Sequence, residues 1–79
     1  QNNTIWLADT STTRTRALPN PAVDNYEIRI VDDTGTASTN NITIERNGNL
    51  IMGLAENLIV DTDRAKFSLK YISGDWRIV

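Results

Sequence analysis

The residues of this chain best suited to chemistry are two acidic groups, Asp32-Asp33 and Asp61-Thr62-Asp63, and a set of aromatic and guanidinium side chains, Trp6, Arg14, Arg16, Tyr26, Tyr71 and Trp76. Neighbouring carboxylates can hold a hard cation, which asks for a full shell of oxygen ligands. A helix-loop-helix calcium loop counted from Asp61 needs Gly at its sixth position and Glu at its twelfth, and this chain has Lys66 and Ile72 there. The ordinary work of aspartate in such stretches is to cap a turn with its carboxylate, and that is the expectation for both groups. A carboxylate pair can also cleave a glycosidic bond, provided a cleft holds the sugar and burial raises one of the two pKa values. One thin β module rarely makes such a cleft, and the chain has no His and no Cys to act as base or nucleophile. No catalytic residue, metal ligand or cofactor is assigned.

Stacking on sugar rings is the other chemistry within reach. Tyr26, Tyr71 and Trp76 alternate with apolar residues and are expected in the core. Trp6 flanks a polar segment and is open to packing or to contact with a partner or ligand. Arg14 and Arg16 fall on one face of a strand, where they can meet acidic sugars or stand solvated. Trp6, Arg14 and Arg16 are therefore the candidate carbohydrate contacts. Gly48, Gly53 and Gly74 stand singly, in turns or at a strand end, and form no phosphate-cradling loop. Asn2-Asn3-Thr4 and Asn41-Ile42-Thr43 match the glycosylation pattern, as a chain this rich in Asn and Thr does by composition.

The elements that must position these residues belong to one small domain. A chain of 79 residues buries only about 60% of its unfolded surface. Disulfides and Cys- or His-based zinc sites are excluded by the lack of both residues, which leaves oligomerisation as the favoured way to complete a marginal core. The net charge of -2 comes from 8 basic and 10 acidic residues mixed along the chain, so there is no basic stripe for nucleic acid and nothing to attract an anionic membrane. No apolar run approaches the roughly 20 residues of a membrane span, and the start lacks the pattern of a signal peptide. A chain that begins with Gln1 is expected to be a piece of something longer.

Period-two segments dominate the pattern. Tyr26, Ile28 and Ile30 share one face of a half-buried antiparallel strand, ended by turn residues at Asp32-Asp33-Thr34-Gly35. Asn47-Gly48 predicts a two-residue type I′ hairpin that pairs Ile44 with Ile51, Glu45 with Leu50 and Thr43 with Met52. Leu50 and Met52 then lie on a mixed face, where a second surface is expected to pack. A second hairpin, turning at Gly74-Asp75, would set Tyr71 opposite Ile78 and Trp76 opposite Ser73. Leu58 to Asp61 reads as a short strand, Leu54 to Asn57 as one helical turn, and Thr4 to Ala8 and Thr12 to Leu18 as strands. Residues 1–17 are expected to be a connecting segment or edge strands, and residues 18–79 a single β module. The fold class is all-β, a small antiparallel β-sandwich or barrel-like roll completed in a homotrimer.

From Leu18 onward the string Leu18-Pro19, Pro21, Ile28-Arg29-Ile30-Val31-Asp32, Gly35, Thr39-Asn40-Asn41-Ile42-Thr43-Ile44, Arg46-Asn47-Gly48, Ile51, Gly53, Leu58, Asp61, Leu69, Tyr71 and Trp76-Arg77-Ile78 resembles a β module of bacteriophage tail fibres and tailspikes. It departs from the family's pattern at Asp24-Asn25, where Gly-Asp is common. The resemblance implies a non-catalytic segment of a trimeric fibre on the virion tail, extracellular during host adsorption. Its partners would be two further copies of itself, adjoining domains and host surface polysaccharide, in a parent protein that can be a depolymerase. Leu50 and Met52 are the candidate trimer-interface residues, and a carbohydrate-binding module is the alternative reading.

Overall fold

Six of the eight strands pair only with strands that are not next to them in sequence. The computed structural model describes residues 3–79, the first of them by its backbone alone. Its strands are β1 (Asn3–Ala8), β2 (Arg14–Ala17), β3 (Glu27–Asp32), β4 (Ile42–Glu45), β5 (Leu50–Ile51), β6 (Leu58–Val60), β7 (Lys66–Ile72) and β8 (Asp75–Ile78). They form a five-stranded sheet in the order β1-β3-β7-β8-β5 and a three-stranded sheet in the order β2-β4-β6. The chain thus crosses from one sheet to the other at every connection but the last, and only β7 and β8 are both consecutive and paired.

The first four strands alternate between the sheets, and each returns to its own sheet in the direction it left it. Thus β1 runs parallel to β3 and β2 parallel to β4. β3 pairs antiparallel with β7 and β4 antiparallel with β6, so both sheets are mixed where antiparallel sheets were expected, and they do not close into a barrel.

The Asn47-Gly48 turn forms, but its hairpin does not. Asn47 and Gly48 take φ of 51° and 91°, the positive pair that a type I′ turn needs, and Asn49 N–H donates to the Arg46 carbonyl at 3.2 Å. Beyond that bond the strands part. β4 stays in the smaller sheet, and β5 pairs in parallel with β8, Leu50 beside Asp75 and Ile51 beside Trp76. Ile44 and Ile51 still end in one buried cluster, reached from opposite sheets as in an arch. The second hairpin turns one residue earlier than the sequence suggests, at Ser73-Gly74 with φ of 52° and 86°, so Tyr71 pairs with Trp76 and Leu69 with Ile78. Residues 54–57 are not helical: Leu54 closes a tight turn back onto Ile51 by two backbone hydrogen bonds. Asn25 takes a φ of 70°, which Asn tolerates, and its N–H donates to the Tyr71 carbonyl at 2.8 Å.

The core lies between the sheets. Ile28, Ile30, Leu69, Ile51 and Trp76 of the larger sheet meet Ile42, Ile44 and Val60 of the smaller one, with Leu18 beside them. Trp76 is fully buried and packs its indole against Tyr71 and Tyr26, ring centroids 5.1 and 6.4 Å away. Among the described residues no acceptor reaches its Nε1.

One carboxylate holds the far end of the sandwich. Asp32, the last residue of β3, is 4% exposed and accepts four hydrogen bonds: from the Thr10 hydroxyl at 2.6 Å and from the backbone N–H of Gly35, Ala37 and Arg64, each at 2.9 Å. These donors come from the β1–β2, β3–β4 and β6–β7 connections. Burial by itself pushes this carboxyl up, but the hydrogen bonds from Thr10, Gly35, Ala37 and Arg64 outweigh it and hold the group at about 2, against 3.8 for a free aspartate.

A carboxyl depressed on folding stabilises the fold above its unfolded value and loses that contribution as pH falls through its folded value. Asp32→Asn is therefore expected to lower the unfolding free energy by roughly 2–4 kcal/mol at neutral pH, because its amide turns a donor toward donors. In urea titrations the difference from the wild type should shrink as pH drops from about 4 to 2. At the other end, Trp76→Phe gives up no hydrogen bond and is expected to cost clearly less than the roughly 3–5 kcal/mol of Trp76→Ala, as read from urea midpoints.

Candidate functional site

The two edge strands on one side of the sandwich, β1 and β2, stand apart and leave a cleft of about 560 Å³. Trp6 to Asp9 form one wall, Arg14 to Arg16 the other, and the core residues Ile30, Ile42 and Ile44 lie at its base. Its size falls in the range of small-molecule sites, which span about 300–1,000 Å³.

The alternation of β1 explains how Trp6 comes to be there. Thr4, Trp6 and Ala8 face inward, where Trp6 and Ala8 pack on the core, and Ile5 and Leu7 face out. β1 is the outermost strand of its sheet, so the inward indole is only half covered. Arg16 reaches across from β2 and sets its guanidinium 4.9 Å from the centre of the Trp6 ring, the geometry of a cation–π contact.

Arg14 is differently placed. Its Nε donates to the Asp9 carbonyl at 2.6 Å and its Nη2 lies 3.6 Å from the Asp9 carboxylate. Asp9 is held below the usual carboxylate range, first by the backbone N–H of Ser11, then by the hydroxyls of Ser11 and Thr34, with Arg14 adding the least. Asp9 thus stays ionised into acid and neutralises Arg14, whereas Arg16 has no carboxylate within ion-pair distance among the described residues. The structure therefore brings together the three residues that sequence singled out for carbohydrate contact. It gives them unequal parts: Trp6 a wall, Arg16 an uncompensated cation, Arg14 a brace. Asp9 was missed, because an exposed aspartate in a turn carries no signal of its partner five residues on.

The remaining candidates lie elsewhere. Asp63 caps the β3–β4 connection by accepting from Ser38 N–H at 2.8 Å, in keeping with turn capping. Leu50 and Met52 sit at the opposite edge of the larger sheet, 38% and 52% exposed. Met52 carries a φ of 51° and turns its sulfur toward the Ile78 N–H at 3.3 Å. Of the two glycosylation patterns, the first falls on Asn2, outside the described residues; at the second, Asn41 is half-buried and its carbonyl accepts from Arg14 N–H at 3.2 Å. Comparison with protein-family models and with curated proteins finds no match to this chain.

Arg16→Ala should uncover the Trp6 indole while costing at most about 1 kcal/mol. Trp76 is fully buried, so acrylamide quenching of the tryptophan emission reports chiefly on Trp6 and is expected to rise in this variant.

Proposed function

We propose that this chain is a non-catalytic structural module of a bacteriophage tail fibre or tailspike, in which three copies associate about the fibre axis and support host attachment. The observation that carries the association is the apolar surface left outside the core. Nine large hydrophobic residues stand exposed among the described residues, against ten hydrophobic residues buried. Scattered singly these would be ordinary. Here Leu50 and Met52 flank the buried Ile51 at one edge of the larger sheet, and the Ile51–Leu54 turn brings Leu54 back beside them. A small core and a gathered apolar edge are what an obligate assembly needs. The tail-fibre assignment itself rests on the resemblance of residues 18–79, whose Asn-Asn-Ile-Thr-Ile and Arg-Asn-Gly segments form β4 and its closing turn.

The Trp6–Arg16 cleft favours a second reading, a module that binds host surface polysaccharide. Binding of an acidic polysaccharide to the wild type and its loss in Arg16→Ala would favour that reading over a pure spacer.

Sedimentation equilibrium tests the association. The wild type is expected to sediment as a trimer or a multiple of it, and Leu50→Lys with Met52→Lys to sediment as a smaller species. A strict monomer at high concentration contradicts the proposal.

A further inference from the structure

Natural sheets protect their edges by shortness, charge or proline, because a bare edge pairs with whatever strand it meets. The two sheets here have four edges, β1, β5, β2 and β6. β5 has two residues and β6 three, and β2 carries Arg14 and Arg16. β1 has none of these protections: it runs six residues with no charge and no proline. Its outward side chains Ile5 and Leu7 are 63% and 61% exposed.

The hydrogen-bond phase of β1 shows which groups it offers. Asp33 N–H donates to the Ala8 carbonyl at 2.9 Å, so Ala8, and with it Trp6 and Thr4, aim their backbone groups at β3. Strand alternation then turns the N–H and C=O of Ile5 and Leu7 to the open side. Thr4-Ile5-Trp6-Leu7-Ala8 is nearly symmetric about Trp6 in character, with an aliphatic residue on either side of the indole and a small one beyond each.

We infer that β1 is a self-pairing edge that joins a second copy of this chain in antiparallel register about a two-fold axis through Trp6. In that register Ile5 meets Leu7 of the second copy and Leu7 meets its Ile5. Both are hydrogen-bonded pairs, so the outward N–H and C=O groups of Ile5 and Leu7 are all used. The exposed aliphatic side chains form one strip on the outer face, no charged residue of β1 meets another, and the two five-stranded sheets become one of ten strands. The occupant is a second copy because the strand is its own complement: the same five residues supply both sides of the joint. A two-fold contact closes at two copies. It is thus separate from the threefold association proposed above, which uses the opposite edge of the same sheet.

The chain has no cysteine, so disulfide trapping reads the register without background. Thr4 of one copy faces Ala8 of the other in a non-hydrogen-bonded pair, with Cα atoms about 4.5 Å apart, within disulfide reach. Two Thr4 residues lie about 13 Å apart. Under mild oxidation an equimolar mixture of Thr4→Cys and Ala8→Cys is expected to form mixed dimers at least tenfold faster than either variant alone. Leu7→Lys placed in both chains should abolish that gain without unfolding the domain, as circular dichroism checks. Equal rates in the mixture and the separate variants, or no crosslink in any, overturns the inference. Adding Leu50→Lys and Met52→Lys separates the two proposals: loss of the threefold species with crosslinking intact leaves this inference standing alone. A trimer that does not crosslink leaves only the fibre reading.

Discussion

The fold depends on the Asp32 carboxylate. Because successive strands lie in opposite sheets, six of the seven connections must cross between the sheets, and their backbone groups cannot be satisfied by a hairpin ladder. At the far end of the sandwich Asp32 replaces that ladder. A single buried anion takes one donor from the β1–β2 connection, two from the β3–β4 connection and one from the β6–β7 connection. Thr10 extends the hub, since Thr36 and Asn40 both donate to its carbonyl, at 2.7 and 2.9 Å. A charge that would be costly to bury unpaired is here the point at which three loops are registered.

What was legible in the sequence was set by local chemistry. Ile28 and Ile30 announce one buried face, and both are buried; Asn47-Gly48 announces positive φ at two positions, and both have it. Partner choice is not local. An Asn-Gly turn reverses the chain whether the flanking strands pair or diverge into an arch, and Ile44 and Ile51 reach the core either way, so the pattern does not separate the two. The register of the last hairpin turned on which residues adopt positive φ. Ser73 does so beside Gly74, and serine gives no such signal as clearly as asparagine. Asp32 read as a turn cap, which it is, but its donors at Thr10 and Arg64 are 22 and 32 residues away.

The candidate site was legible in part for the same reason. Trp6, Arg14 and Arg16 stood out as an aromatic and two cations in a polar segment, and they converge because β1 and β2 are the two edges that flank one opening of the sandwich. Their division of labour depends on Asp9 and on reach across the cleft, neither of which is written in spacing. The edges themselves tie fold to function. With the loops pinned at one end and the sheets left open, the fold keeps one bare edge at β1 and exposed apolar residues at Leu50, Met52 and Leu54 by the other. The two proposed associations rest on these edges.

The loops are locked from within by Asp32, and β1 is the edge proposed to pair with a second copy. Residue-resolved amide hydrogen exchange, recorded on dilute and on concentrated protein, tests both halves in one experiment. The N–H groups of Gly35, Ala37 and Arg64 are expected to exchange as slowly as those of β3 and β7 at every concentration, and those of Ile5 and Leu7 to slow markedly as concentration rises. Fast exchange at Gly35, Ala37 and Arg64, or exchange at Ile5 and Leu7 that does not change with concentration, would contradict it.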